Sequence, residues 1–351
     1  MIMAGKVAAT FPTASQAPEP WPEGGTEPVP NCPLCGANER KLFYRGLSDR
    51  VFFSAPGLWD LWCCGKCESA YLDPRPTRES LPLAYRRYYT HEEAAPAPRA
   101  VPHLRRALAN GYRNFRYGAK LTPASKLGSY IGRIPPFGWG IDSQYRYLPR
   151  HPGRVLDIGA GDGEWLELVR ECGWQVAPVE PDPIARERIE GRGIEVRDSA
   201  RAWLSSVGTF DAVTLSHSIE HVHEPDGLLT AAFELLRPGG QLFVETPNLD
   251  AVAHRQFGRN WISLDPPRHL ILFNRRSLRN AVRSAGFARI RFRQRPPLLP
   301  EIWRESKRIT AGFDPLAADG PDSPIAVRLL KLRGALQPLR SEYLTLTATK
   351  E

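Results

Sequence analysis

The stretch VLDIGAGDGEWL, residues 155–166, decides the fold. It begins with an apolar, strand-like run that breaks at Gly159, Gly161 and Gly163, and a helical pattern follows at once. Glycines at this spacing let the backbone turn tightly and approach a ligand closely. A helix that begins there offers unpaired N–H groups to that ligand. We therefore predict a strand, a glycine loop and a helix built around a binding site.

Outward from this stretch, short apolar runs alternate with amphipathic helical segments. The runs include RVLDIG, QVAPVE, IEVRD, DAVTLS and QLFVETPN, and a last alternating strand reads EYLTLTATK. Such alternation indicates a mainly parallel sheet that is covered by helices on both faces. We predict an α/β fold with a Rossmann-like, seven-stranded sheet, formed by residues 151–295 together with 341–351.

Acidic residues near the glycine loop indicate the kind of ligand. The spacing G-x-G-x-G differs from that of dinucleotide sites, and no Lys-Ser/Thr pair follows as in a P-loop. Asp157 would repel a pyrophosphate but attract a cationic ligand, such as the ammonium and sulfonium of S-adenosylmethionine. Glu180, at the end of the second strand, suits the hydroxyls of a ribose. Asp198 ends the third strand, where an adenine amino group would lie.

The predicted cofactor-binding residues lie in the glycine loop or at the carboxyl ends of strands, where parallel sheets bind ligands. They are Asp157, Gly159, Ala160, Gly161, Gly163, Glu180, Pro181, Asp198, Ser216 and His217. The alternative interpretation is a Rossmann-like domain whose glycines only form tight turns and whose Glu180 is solvated.

Five segments, in order, resemble the class I S-adenosylmethionine-dependent methyltransferases. They are VLDIGAGDGEW, VEPD, FDAVTLSHSIEHV, LLRPGGQLFVETPN and DPPRHLILFNRRSLRNAVRSAGF. The resemblance covers residues 151–295 and 342–350, and it implies methyl transfer from S-adenosylmethionine.

Four cysteines in two C-x-x-C pairs, Cys32, Cys35, Cys64 and Cys67, predict a metal site. Four thiolates close a tetrahedral shell around Zn²⁺ and leave no open position, so the ion would have a structural role. Cys63 is adjacent to Cys64 and could replace it through a shift of register.

The order CPLCG, a strand-like spacer, CCGKC and YLDPRPTRESLPLAYRRYY resembles the N-terminal part of bacterial methyltransferases from surface-polysaccharide and secondary-metabolite sugar pathways. This resemblance implies a small-molecule acceptor, a hydroxyl of a sugar or of a nucleotide-linked or lipid-linked precursor. O-methyl transfer is favoured, and C- or N-methyl transfer stays open. An RNA methyltransferase with a zinc-ribbon recognition module is the alternative, because the formal net charge is +9.

The stretch LSHSIEHVHEP, residues 215–225, contains three histidines after the fourth strand. Its H-x-x-E-H spacing is that of inverted zinc proteases, but their long helix and distant third ligand are not evident. We predict that His217 and His221 line the rim of the cofactor crevice and are candidate catalytic residues. Related O-methyltransferases of quinone synthesis bind a divalent ion at the corresponding place, so a metal role for His217, Glu220 and His221 stays open.

His269, within DPPRHL, is the leading candidate for the catalytic base. The acceptor hydroxyl must lose a proton as its oxygen attacks the methyl group, and an imidazole suits that task near neutral pH. The alternative is a histidine that only bonds a backbone carbonyl. Arg268 is a candidate partner for a substrate phosphate or for Asp265, and Trp261 and Tyr145 are candidates for stacking on a sugar ring.

Composition divides the chain into five parts. These are a disordered tail (1–30), a zinc-ribbon module (31–90), a linker and helical lead-in (91–150), the methyltransferase domain (151–295 plus 341–351) and an insertion between strands six and seven (296–340). The tail is predicted to be disordered because it is rich in proline and alanine and lacks an apolar pattern.

The expected partners follow from charge and from the apolar pattern. No apolar run is long enough to cross a bilayer and the N-terminus lacks a signal-peptide core, so we expect a cytoplasmic protein. Two basic amphipathic segments, HLRRALANGYRNFRYGAK and AVRLLKLRGALQPLR, indicate peripheral contact with the inner membrane face, or else solvated helix faces. We expect a small-molecule substrate and no nucleic acid, and the oligomeric state stays open.

Overall fold

The computed structural model describes residues 20–86, 103–317 and 323–351. The strands are β1 (Thr26–Glu27), β2 (Arg40–Leu47), β3 (Trp59–Cys64), β4 (Ala70–Leu72), β5 (Arg75–Pro76), β6 (Arg154–Ile158), β7 (Gln175–Val179), β8 (Phe210–Ser216), β9 (Leu236–Pro247), β10 (Ile271–Leu272), β11 (Ala288–Phe292) and β12 (Tyr343–Thr349). The α-helices are α1 (His103–Tyr117), α2 (Lys126–Ile131), α3 (Trp139–Gln144), α4 (Glu164–Arg170), α5 (Pro183–Gly191), α6 (Pro225–Leu235), α7 (Val252–Phe257), α8 (Arg275–Ser284), α9 (Leu299–Ala311) and α10 (Pro324–Ala335).

The main sheet has six strands in the order β11-β12-β9-β8-β6-β7. Strands β7, β6, β8 and β9 are parallel, whereas β12 runs antiparallel to both β9 and β11. Because the four parallel strands end at one edge, their following loops meet there and form the ligand crevice. The α/β prediction is confirmed by this mostly parallel, Rossmann-like sheet.

The predicted third strand, IEVRD, forms only one isolated parallel bridge within the described residues, between Val179 and Arg197. Two hydrogen bonds make this bridge, from Glu180 N to Arg197 O and from Arg197 N to Pro178 O. The N–H of residue 178 would face the same side, but Pro178 has none to donate, so the ladder stops. The prediction of seven strands was wrong by this one strand.

Helices cover both faces of the main sheet. On one face, Leu156 and Val213 pack with Leu229 of α6 and Leu278 of α8. The preceding residues of the same strands, Val155 and Ala212, point to the opposite face of the sheet. There they pack with Val169 of α4 and Tyr117 of α1. This alternation is the period of two that a strand buried on both faces requires.

The cysteine-rich module joins the rest of the protein through a shared sheet. Strands β2, β3 and β4 form an antiparallel sheet that is extended by β10, in the order β10-β4-β3-β2. Strand β10 comes from the segment 151–295, so the predicted boundary between the two regions is crossed by backbone hydrogen bonds.

The predicted disordered tail extends too far toward the C-terminus. Residues 1–19 lie outside the described residues, but β1 pairs with β5, and Val29 is buried in the main core. Trp21 contacts Trp59 edge to face, with ring centroids 5.1 Å apart. The Trp21 contact and the pairing of β1 with β5 attach residues 20–30 to the rest of the protein. Composition alone does not reveal these contacts.

The segment between β11 and β12 forms α9 and α10. Leu299, Ile302 and Ile309 of α9 belong to a core cluster that also contains Trp59 of β3 and Val252 of α7. The predicted insertion is therefore bound into the core through α9. In contrast, α10 has no buried residue.

The predicted lead-in is helical where it is described, because α1, α2 and α3 all lie within 103–150. The linker residues 91–102 lie outside the described residues. No helix of the described chain combines the length and the apolar character that crossing a membrane requires.

Candidate active site

The glycine loop follows β6 and adopts the predicted turn. Gly159, Gly161 and Gly163 have φ angles of +81°, +60° and +81°, which side-chain-bearing residues rarely adopt. A Cβ on Gly159 would lie 2.7 Å from the Cβ of Ser218, so the loop packs closely against the segment after β8. The structure therefore brings the glycine loop beside the residues that follow the fourth predicted strand.

Glu180 lies at the end of β7 and faces the glycine loop. Its Oε2 accepts a hydrogen bond from the Gly161 N–H at 2.7 Å, and its Oε1 accepts one from the Asp182 N–H at 2.9 Å. Burial raises the pKa of Glu180 to about 7, although these two backbone hydrogen bonds oppose the rise. Pro181 follows directly, and Asp198 is exposed on the neighbouring edge segment.

Asp157 does not form the open acidic contact that the sequence predicts. It is completely buried and forms an ion pair with Arg146 and a hydrogen bond of 2.7 Å with Thr214 Oγ1. The Arg146 guanidinium in turn stacks on Trp165 at 3.8 Å. Burial raises the pKa of Asp157, opposed by Arg146 and Thr214. We expected this carboxylate to face a cationic ligand. It pairs instead with Arg146, which lies outside the strand and glycine-loop motif and gives no signal in it.

A cavity of about 240 Å³ opens at the carboxyl ends of the strands, and we call it the composite pocket. Three parts of the chain line it. Val51 and Phe52 come from the cysteine-rich module, Ile302 and Glu305 from α9, and the rest from the loops of the main sheet and from Tyr343. His217, His221 and His269 all line this pocket, so the structure brings the three predicted catalytic residues together.

His217 lies between two buried carboxylates. Its Nδ1 is 3.4 Å from Glu220 Oε1 and its Nε2 is 3.4 Å from Glu245 Oε1. Burial alone would lower the pKa of His217, but Glu220 and Glu245 outweigh it and raise the pKa to about 9. Its left-handed φ of 53° is rare for such a side chain. The two carboxylates stabilise this conformation because they hold the imidazole from both sides. His217 is therefore a cation at neutral pH.

His221 and His269 form a pair with ring centroids 4.7 Å apart. Nδ1 of His221 lies 3.0 Å from the Arg268 carbonyl oxygen, and Nδ1 of His269 lies 2.8 Å from the Ser263 carbonyl oxygen. A carbonyl only accepts hydrogen bonds, so Nδ1 of His269 carries a proton and Nε2 of the neutral His269 ring is a proton acceptor. Nδ1 of His221 also lies 3.0 Å from the Tyr85 hydroxyl, which can donate or accept.

Glu220 is the third member of the group formed by His221 and His269. It is completely buried, and one of its oxygens and one nitrogen each of His221 and His269 all lie within 4.8 Å of one another. Burial would raise the pKa of Glu220, but His217, together with the charges of His221 and His269, lowers it to about 2. Burial and the charge of His269 lower the pKa of His221 to about 4. This group suits proton transfer, and its ligand types also fit a divalent cation.

Three further expectations about acceptor contacts are corrected. Arg268 is completely buried and pairs with Asp265 and Asp49, so it cannot reach a substrate phosphate. Trp261 and Tyr145 are only 2% and 1% exposed, which leaves no ring face for stacking on a sugar. Their apolar bulk is used in the core, which is the common fate of large aromatic side chains.

The four predicted metal ligands converge in the cysteine-rich module. The Sγ atoms of Cys32, Cys35, Cys64 and Cys67 all lie within 4.8 Å of one another, with separations of 3.6 Å for Cys32–Cys67 and 3.5 Å for Cys35–Cys64. Tetrahedral zinc with Zn–S bonds of about 2.3 Å requires sulfur atoms about 3.8 Å apart. Cys63 does not belong to this cluster, so the alternative register is excluded.

Several site residues carry no prediction from the sequence. Glu245 lies near the carboxyl end of β9, and Glu180 follows the last residue of β7, so the rule applied to strand ends could have found Glu245. Arg146, Glu305 and Tyr343 have no local signal, because only the tertiary structure brings them to the crevice.

Comparisons with known proteins agree with this architecture. Residues 141–291 match the family model of a methyltransferase domain. The chain is similar to the ubiquinone biosynthesis O-methyltransferases of Xanthomonas oryzae pv. oryzae, with 35% identity over 103 residues, and of Xanthomonas campestris pv. campestris, with 37% identity over 109 residues. These matches cover 27% and 28% of this chain and 43% and 44% of those proteins, so the chain spans less than half of their length.

Solved structures with a similar fold are more distant. One is a SAM-dependent methyltransferase from Archaeoglobus fulgidus, with a TM-score of 0.43, 20% identity and coverage of 68% of this chain and 97% of that one. Residues 141–291 therefore match the model of a methyltransferase domain, and this segment contains the glycine loop and the parallel strands of the main sheet.

Proposed function

We propose that this protein transfers a methyl group from S-adenosylmethionine to a hydroxyl of a small, uncharged acceptor, a sugar or a glycan precursor. The observation that carries the proposal is the composite pocket, in which His217, His221 and His269 surround the buried carboxylate of Glu220. His217 of this pocket precedes Ser218, which packs against Gly159 of the glycine loop.

The cofactor is held by residues at the ends of the parallel strands. S-adenosylmethionine supplies a methyl group bonded to a positively charged sulfonium sulfur. When the methyl group is transferred, the C–S bond breaks and the sulfur becomes a neutral thioether. Glu180 accepts hydrogen bonds from the ribose hydroxyls, and Pro181 and Asp198 flank the base. Gly159, Ala160, Gly161 and Gly163 admit the backbone close to the ligand, and Ser216 and His217 border its methionine end. This assignment is supported by the close approach of the loops after β6 and β8, where a Cβ on Gly159 would lie 2.7 Å from the Cβ of Ser218.

Asp157 acts on the cofactor through Arg146. Their buried ion pair orients the Arg146 guanidinium, which is also held against Trp165. An arginine fixed on both sides is suited to a carboxylate, such as that of the methionine part of the ligand. Asp157 is therefore a positioning residue in this proposal.

His269 is the base that takes the proton from the acceptor hydroxyl. Its Nδ1 donates to Ser263, so its Nε2 has the free lone pair. As the acceptor oxygen bonds to the methyl carbon, the hydroxyl proton moves to this Nε2. The imidazolium that forms is stabilised by the buried negative charge of Glu220. His221 supports the same carboxylate and, being neutral at pH 7, is a second acceptor.

The chemistry of the pocket favours an uncharged acceptor group. No lysine or arginine side chain is among the described residues that line it. Glu305 and Ser263 offer hydrogen-bonding groups, and Val51, Phe52 and Ile302 offer apolar contacts. A phosphate placed inside would find one cation, His217, and that cation already pairs with Glu220 and Glu245. A sugar hydroxyl fits, and any phosphate of a linked carrier would remain outside the pocket.

We further propose that Cys32, Cys35, Cys64 and Cys67 bind one structural Zn²⁺. Their thiols are free of disulfides and lie near the separations of a tetrahedral shell. Four sulfur ligands leave no open position, so the ion stabilises the module and does not enter the reaction. The same module supplies Val51 and Phe52 to the pocket, which links metal binding to the shape of the acceptor site.

The test is an assay of methyl transfer against matched acceptor classes. Purified protein is incubated with methyl-labelled S-adenosylmethionine and with neutral sugars, nucleotide-linked sugars, lipid-linked sugars or RNA, and the product is located by mass spectrometry and NMR. We expect an O-methylated sugar. Label that appears only in RNA, or only on carbon or nitrogen, would reject the proposed acceptor.

A further inference from the structure

The outer face of α10 presents an apolar stripe to the solvent. We call it the outer stripe, and its members are Ile325 (69% exposed), Leu329 (62%), Leu332 (57%) and Leu336 (73%). Spacings of four, three and four residues place them on one side of a helix with 3.6 residues per turn. Four large aliphatic side chains at this exposure are not explained by packing against the residues that the structure describes.

The opposite face of α10 is already used. Leu330 packs against the core cluster that contains α9, and a Cβ on Gly334 would lie 3.0 Å from Pro297 and 3.5 Å from Leu299. The Arg333 guanidinium lies over the Trp303 ring at 5.0 Å. The helix is thus anchored on α9 by one face, and the outer stripe is directed away from the protein.

The surroundings of the outer stripe are positively charged. Residues 323–341 contain four basic residues, Arg328, Lys331, Arg333 and Arg340, and no acidic residue. At 100° per residue, Arg328 and Arg333 fall on opposite sides of the stripe. An apolar stripe with cations on both borders is the pattern of a helix that lies in the plane of an anionic membrane surface.

We infer that the outer stripe of α10 binds the surface of a bilayer that contains anionic lipids. A stripe of four side chains is narrow for a stable protein interface, which buries about 800 Å² on each partner. Its chemistry matches a headgroup layer, because the aliphatic side chains enter the acyl boundary while Arg328, on the border of the stripe, meets lipid phosphates. With 12 residues, α10 lies on the membrane and does not cross it.

Membrane binding by α10 would bring the composite pocket near the lipid surface. Helix α9 connects the two, since its Trp303 contacts Arg333 of α10 and its Ile302 and Glu305 line the pocket. The inference does not depend on the proposed methyl transfer, because it rests only on exposure, spacing and charge.

The experiment is vesicle co-sedimentation with the full-length protein. Vesicles consist of phosphatidylcholine alone or of phosphatidylcholine mixed with phosphatidylglycerol. We expect binding only to the anionic vesicles, weakened in about 0.5 M salt because the charges are screened. The double variant Leu329→Ser with Leu332→Ser should bind at least about tenfold more weakly, and Arg328→Gln should reduce the preference for anionic lipid.

A matched control is Val207→Ser, which removes an apolar side chain that is 55% exposed outside α10. It should bind vesicles as the unmodified protein does, and all variants should keep the same thermal unfolding midpoint. Unchanged vesicle binding by the stripe variant would overturn the inference. So would equal binding to neutral vesicles, or sedimentation velocity that shows a dimer abolished by the stripe variant without any vesicle binding.

Discussion

Arg268 donates a hydrogen bond of 2.5 Å from Nη2 to Oδ1 of Asp49, across 219 residues of sequence, in a fully buried ion pair. Asp49 belongs to the cysteine-rich module, and Arg268 precedes the proposed base His269. Arg268 also pairs with Asp265 and donates to the Ala84 carbonyl oxygen at 2.8 Å. The guanidinium of Arg268 thus joins the loop that carries His269 to the cysteine-rich module.

Asp49→Ala should destabilise the protein strongly. It leaves the Arg268 cation buried with one fewer carboxylate, and breaking such a pair costs about 3–5 kcal/mol. Urea unfolding at pH 7 measures this change. The control is Arg237→Ala, which breaks the more exposed pair with Asp211 and should cost under about 1 kcal/mol. Equal losses in the two variants would contradict the anchoring role.

The stability contributed by Asp49 should also depend on pH. Burial would raise its pKa, but Arg268 and backbone hydrogen bonds lower it below the ordinary value. A lowered folded-state pKa gives stability that is present above the unfolded pKa and lost as the pH falls through the folded one. The difference between the unmodified protein and Asp49→Asn should therefore shrink in acid. A difference that is constant from neutral to acid pH would contradict this assignment.

His269→Ala should keep cofactor binding and lose turnover. A general base contributes about 10²–10⁴ in rate, so kcat should fall by that range while the affinity for S-adenosylhomocysteine in calorimetry stays the same. The exposed His151→Ala is the control and should be active. Full turnover in His269→Ala would reject the base. Activity that is lost with a chelator while the zinc content stays at one per chain, and is restored by a divalent ion, would instead assign Glu220, His221 and His269 to a metal.

Glu180→Gln should weaken cofactor binding and change the pH dependence of stability. Burial raises the pKa of Glu180 to about 7. A raised folded-state pKa gives stability that is complete below the unfolded pKa and is lost as the pH rises through 7. Glutamine mimics the neutral acid, so the variant without ligand should gain stability over the unmodified protein at pH 8 and not at pH 4. Calorimetric unfolding checks this, and a loss of stability at pH 8 would contradict it.

Zinc removal should unfold the cysteine-rich module and disturb the composite pocket. Metal analysis of the purified protein should give one zinc per chain, and Cys64→Ser should lower that content and the unfolding midpoint together. Cys172→Ser is the control, because Cys172 is buried in the separate cluster around Tyr117 and Val169. Full metal content in Cys64→Ser would reject this ligand set.

Local patterns were sufficient for much of the fold. The run into Gly159, Gly161 and Gly163 predicted the loop because positive φ angles restrict the choice of residue. The cysteine pairs predicted a cluster because C-x-x-C spacing brings two thiols to one turn. Short apolar runs that alternate with helical segments predicted the parallel sheet, because helices cover both faces of such a sheet and each of its strands must be apolar on both sides.

The sequence alone therefore determined the α/β class, the glycine loop, the cysteine cluster and the histidines worth testing. Only the tertiary structure decided that Arg146 neutralises Asp157, that Arg268 is buried against Asp49 and that Glu305 lines the pocket. It also decided that Pro178 ends the ladder toward the predicted third strand, IEVRD. Backbone conformation and apolar period are properties of neighbouring residues, whereas the partner of a buried charge is chosen by which distant segments the core brings together.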